Sequence, residues 1–170
     1  MKQLREATVE VLLQVQQLVV ASRGKRYNQP SLHSGSGIGK HVRHILDHFL
    51  ALQQGAVNGN INYNSRHRDS EIENDAKLAL QLINELIVWF LLPDSELQER
   101  AVKVESEISL KQQQNRFFDS SLSRELCYLI NHTVHHLAYA KLVAKELGIL
   151  VNDTIGIAPG TVSYLRQQGH

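Results

Sequence analysis

Six of the chain's nine histidines stand in two short stretches, H-V-R-H-I-L-D-H (residues 41–48) and N-H-T-V-H-H (131–136). Imidazole serves in proteins as an acid–base group and as a ligand for transition metals, so spacing decides what such clusters can do. Both stretches carry helical apolar periodicity. At about 100° per residue, His41, His44 and His48 lie within about 60° of one another. They border a stripe centred near Ile45 and Phe49. In the later stretch the stripe is centred on Leu126, Ile130, Thr133, Leu137 and Ala144. His136 falls about 80° and His132 about 120° from that centre on one flank, while His135 falls about 180° away. Side chains at i and i+4 stand one above the other, so the H-x-x-x-H pair His132 and His136 can grip one ion as adjacent ligands. A third ligand must come from another helix, and helix-bundle cores build sites in that way. Three neutral nitrogens suit Zn²⁺, Ni²⁺ or Fe²⁺ and leave a position for water or substrate. Spacing alone leaves His41, His44 and His48 all open as that third ligand. The competing reading is two histidine-rich faces joined by hydrogen bonds without a metal.

These residues need elements to carry them. Val9, Leu12, Leu13, Val15, Val19 and Val20 predict a first helix over 2–22, followed by a loop over 23–33. Ile38, Val42, Ile45, Leu46, Phe49 and Leu52 predict a second over 37–54, and 55–69 reads as a polar connection. Ser70 and Glu73 have the spacing of a capping box and are expected to open a third helix that runs to about Phe90 and is closed by Pro93 and Asp94. Alternation of Val102, Val104, Ile108 and Leu110 predicts a strand, with the following QQQNRFF pairing back as a small hairpin. The fourth helix is expected over 120–148 with Gly148 as its cap, and a last helical turn over 161–168. The expected fold is therefore mainly all-α: a four-helix bundle in one domain, 1–170, with a short β-hairpin between helices three and four.

Composition narrows the classes of function. The 170 residues are 42% apolar and 21% charged, with a formal charge of +1 from 18 basic and 17 acidic residues, so a core is affordable and no nucleic-acid partner is favoured. The amphipathic N-terminus carries Glu6 and Glu10 and does not read as a signal peptide, and no stretch reads as a membrane span. A cytoplasmic address is expected, in keeping with the single cysteine, Cys127, which is expected to be buried and inert among Leu126, Leu129 and Ile130. G-S-G-I-G-K (35–40) is not a phosphate loop: Ser34 stands at the pattern's first glycine, His41 follows the lysine, and no strand precedes it.

The motifs G-K-H-V-R-H-I-L-D and N-H-T-V-H-H-L-A together resemble the DinB-like (DNA-damage-inducible) superfamily of four-helix metal-binding proteins. S-S-L-S-R-E-L, G-I-A-P-G-T and N-Y-N-S-R-H-R-D look like a sub-branch of it. The resemblance implies His44, followed by Ile45, Leu46 and Asp47, as the ligand from the second helix, with His132 and His136 as the other two; His48, one turn on, is the alternative. It also implies a divalent metal (Zn, Ni or Fe) and either transfer chemistry using a low-molecular-weight thiol or hydrolysis by water. A non-catalytic metal- or ligand-binding bundle is the alternative.

Four residues are candidates for a substrate pocket. Tyr63, Arg66 and Arg68, with His67 beside them, could hold an anionic group, since arginine suits carboxylate and phosphate. The plainer reading is a solvated loop leading to the Ser70 cap. Tyr139 lies one turn from His136 and is expected to line the cavity or to pack between helices, and Asp47 to orient a histidine or to face water. Expected partners are thus a thiol or other small molecule, no membrane, and, through exposed helix faces, a second copy in a homodimer.

Overall fold

The computed structural model describes residues 1–65, 67, 70–92 and 97–169; Pro93 and Asp94, expected to close the third helix, lie outside them. The chain is mainly helical, with a small three-stranded sheet. The helices are α1 (Lys2–Ala21), α2 (Ile38–Asn58), α3 (Ala76–Leu91), α4 (Leu122–Glu146) and α5 (Pro159–Gln167), and the strands β1 (Asn60–Asn62), β2 (Ala101–Glu107) and β3 (Asn115–Ser121). α1 packs against α3 and α4, and α2 packs against α4 and α3. All contribute to one apolar core, which takes Leu12, Val15 and Leu18 from α1, Val42, Ile45, Phe49 and Leu52 from α2, Ile83, Leu86 and Phe90 from α3, and Leu126, Leu129 and Leu137 from α4. Every residue of the stripe expected on α2 is buried.

The departures from expectation have local causes. α2 runs past Gln54 to Asn58 because Gly55 does not stop it; that glycine lets Ile61 approach the helix closely. The stop is Gly59, whose φ of 81° is open to glycine at little cost. Ser70 does cap, but its side chain accepts from Ile72 N–H at the head of a 3-10 turn over Glu71–Glu73, and the cap of α3 is Asp75, accepting from Lys77 N–H. The expected two-stranded hairpin is part of a larger sheet. β2 pairs antiparallel with β3, and β1 adds to its other edge in parallel. β2 stops at Glu107, so Ile108 and Leu110 lie exposed in the connection rather than in the strand.

The sheet matters because of where it sits. Val102 and Val104 turn inward, Phe118 pairs directly with Val104 and shares its face, and Ile61 lies beside Val104 on the other edge. β3 then runs straight into α4, with the Ser121 side chain accepting from Arg124 N–H as the helix cap. The sheet thereby walls one side of the α2–α4 face that carries the histidines. Among the described residues no helix is long and apolar enough to cross a membrane.

Candidate metal centre

α2 and α4 pack face to face and bring both histidine clusters together. One ligand nitrogen from each of His44, His132 and His136 can be chosen so that all three lie within 4.8 Å of one another. His44 Nε2 and His132 Nε2 are 3.1 Å apart. Ligands at the usual ~2.0–2.1 Å from a tetrahedral zinc stand about 3.3–3.5 Å from each other, so this donor set has the right chemistry and nearly the right spread for one ion. All three rings are half-buried, as a site open on one side requires.

The other histidines take distinct places. His48 is buried, stacks on Tyr63 (5.1 Å, 18°) and lies 4.2 Å from the His132 ring, centroid to centroid. Its Nδ1 donates to the His44 carbonyl at 2.9 Å, which holds the α2 turn beneath His44 and puts the His48 proton on Nδ1. His41 Nδ1 is 3.4 Å from His136 Nδ1, and burial lowers the His41 pKa below its usual value, with Lys40 and His135 adding to the effect. His135 is exposed, as helical phase predicts, with its ring edge-on to that of His136 at 5.3 Å, centroid to centroid.

A cavity of about 320 Å³ opens on this centre, lined by His44, His48, His132, Tyr63, Tyr128 and residues of the β2–β3 connection. Tyr63 lies in its wall. Tyr139 does not line it: half-exposed, it packs its ring 4.8 Å from that of His41. Arg66 and Arg68 lie outside the described residues. A larger cavity of about 780 Å³ lies on the side of α3, lined by Leu80, Asn84 and Val88 among others, and none of the clustered histidines reaches it.

Two expectations about single residues are corrected. Asp47 neither orients a ligand histidine nor faces water. It is buried, accepting from Arg43 Nη1 at 2.8 Å and from His67 Nδ1 at 3.0 Å, while Arg43 Nε reaches Glu73 at 3.1 Å. Cys127 is exposed, because a residue next in sequence to Leu126 is turned about 100° from it around the helix.

Glu125 was missed by sequence reasoning. Completely buried at the foot of α4, it accepts from Tyr63 Oη at 2.8 Å, Ser120 Oγ at 2.5 Å and Arg124 Nη1 at 2.9 Å. Burial first, then the Glu125 charge and hydrogen bond, push the Tyr63 phenol well above its ordinary pKa, so it stands as a donor. The signal available was the run R-E-x-x-Y-x-x-x-H-x-x-x-H from Arg124 to His136, which extends the histidine spacing back to the start of the helix.

No protein-family model matches the chain, and no solved structure matches it. A stretch of 108 residues is 29% identical to FK506-binding protein 5 of Rhizopus delemar, covering 64% of this chain and 28% of that protein. The match thus spans little more than a quarter of the relative, and the relative's name has no bearing on the histidine centre.

Proposed function

We propose that this protein is a DinB-like four-helix-bundle metalloprotein in which His44, His132 and His136 hold one divalent ion, zinc, nickel or iron. The observation that supports it is the convergence of three imidazole nitrogens within 4.8 Å, from two helices, beside a cavity of about 320 Å³. Three protein ligands leave a coordination position facing that cavity for water or a small molecule. A divalent ion supplies Lewis acidity there, lowering the pKa of a thiol or water so that a nucleophile exists at neutral pH. The chain's own residues shape the rest: His48 and Tyr128 wall off the centre, and Tyr63 adds its ring to the wall, its phenol held protonated first by burial and then by Glu125, to which it donates. Thiol-dependent transfer, or hydrolysis with water as the nucleophile, is the reaction class we assign.

A second reading, a metal- or ligand-binding bundle without turnover, is favoured by one feature. The two buried carboxylates of the described chain, Asp47 and Glu125, are both committed to other donors, so neither stands ready as a general base. Metal analysis of protein purified without chelator tests the centre itself. We expect close to one equivalent in the wild type and a fall of at least about tenfold in affinity for His44→Ala and His136→Ala. Equal metal content in all three would sink the triad. A panel of low-molecular-weight thiols and hydrolysable esters on the loaded protein then separates the enzyme from the binding protein.

A further inference from the structure

Arg124, Tyr128, His132 and His136 follow one another at four-residue spacing along α4. Each step places one side chain over the next with a drift of about 40°. The contacts bear this out: the Arg124 guanidinium carbon lies 5.5 Å from the centre of the Tyr128 ring, and that ring stacks on His132 at 5.4 Å and 27°. A cation, an aromatic ring and the histidine centre therefore form one continuous line.

Two cavities meet along that line. The inner one faces the histidines. The outer one, about 420 Å³, lies between α4 and the sheet, and the two share Tyr63, Ser106 and Tyr128 as a common wall. Val104, Phe118 and Tyr128 give the outer chamber an apolar lining. Arg124 stands at its edge, and its position is fixed in advance: Nη1 is tied to Glu125, which Tyr63 and Ser120 immobilise in turn. A guanidinium carries five N–H donors. Those of Arg124 beyond Nη1 make no hydrogen bond to the described residues. The carboxylate that would compete for a cationic ligand, Asp119, is largely solvated and pairs with Lys103 at 3.2 Å.

We propose that the outer chamber seats the non-reacting end of the substrate, an aryl or alkyl body ending in a carboxylate that Arg124 takes. A planar fork matches carboxylate, and the charge of Glu125 beside it disfavours a doubly charged phosphate, which would need a second cation. Arg124 and His132 are eight residues apart, about 12 Å along the helix, so the carboxylate and the reacting atom of the substrate stand about that far apart. What happens at the reacting end rests on the metal-centre reading; the carboxylate subsite does not.

The test uses the full chain held metal-free with chelator and reads binding by calorimetry and by amide chemical-shift changes. Phenylacetate, phenylacetamide and benzylamine are the probes, matched in body and differing in charge. Phenylacetate is expected to bind about tenfold tighter than phenylacetamide. Arg124→Gln should remove that preference and Arg124→Lys restore part of it, with shift changes at Val104, Phe118 and Tyr128. His44→Ala should keep the preference, so loss of the metal centre and loss of this subsite are separate results. Equal affinity for phenylacetate and phenylacetamide, tighter binding of benzylamine, no binding of phenylacetate at tens of millimolar, or a preference that survives Arg124→Gln each overturns the proposal.

Discussion

Single residues around the histidines divide into those that face the centre and those that hold the helices in place. Asp47 belongs to the second group. It links Arg43, one turn earlier on α2, to His67, and Arg43 in turn reaches Glu73. Arg43 and Asp47 are both less than a tenth exposed, so removing the carboxylate leaves a buried guanidinium with Glu73 as its remaining charge partner. We expect Asp47→Ala to lose about 2–4 kcal/mol in urea unfolding while metal affinity changes less than about threefold. A large loss of metal with little loss of stability would instead make Asp47 a positioning group for the centre. At this scale the sequence was informative where helical phase settles the question. Phase put His132 and His136 on one flank and His135 toward solvent; the structure brings the first two together and leaves His135 exposed, though its ring still lies 5.3 Å from that of His136. It was misread for Cys127, judged by its neighbours in sequence rather than by its position around the helix. It marked Glu125 only through the spacing that runs back from the histidines to Arg124; the burial of Glu125 depends on Tyr63 and Ser120 arriving from outside α4.

Elements reach their places through a few pins, and Tyr27 is one of them. The loop after α1 buries this side chain completely. Its hydroxyl donates to the Ile72 carbonyl at 3.0 Å, and its own carbonyl accepts from Gly39 N–H at 2.8 Å. Gly39 is needed there because a Cβ would stand 2.0 Å from the Glu73 carbonyl oxygen. The start of α2, and with it His41 and His44, is thus docked on the turn before α3. Burial, then the charges of Glu73 and Asp75, raise the Tyr27 pKa. A phenol whose folded pKa lies above its unfolded value of about 10 adds stability that is whole below pH 10 and is lost as pH climbs beyond it. Tyr27→Phe is expected to cost about 1 kcal/mol at pH 7, with the gap to wild type narrowing by pH 10.5 in urea midpoints. A gap that is constant or widening across that range would contradict it. The four long helices were legible because their apolar stripes are. β1 was not: Asn-Ile-Asn has a single apolar residue, and its pairing partner lies some forty residues on.

At the scale of the molecule, the histidine centre ties α2 to α4, and both helices enter the same core as α1 and α3. An ion held by residues from both helices binds the folded chain in preference to the unfolded one, so its affinity adds to global stability. With zinc at about a hundred times its dissociation constant, linkage gives about 2.7 kcal/mol. For a chain of this size that corresponds to a rise of about 5–10 °C in Tm. Scanning calorimetry with zinc, and then with excess chelator, measures this directly. His132→Ala should abolish the zinc-dependent rise, whereas His135→Ala, on the exposed face of α4, should keep it. An equal rise in wild type and His132→Ala would place zinc elsewhere on the protein and remove the centre from any account of its stability. A rise carried by His44, His132 and His136 together, with no turnover on any thiol or ester, would make the ion a clamp between α2 and α4 and favour the binding protein over the enzyme.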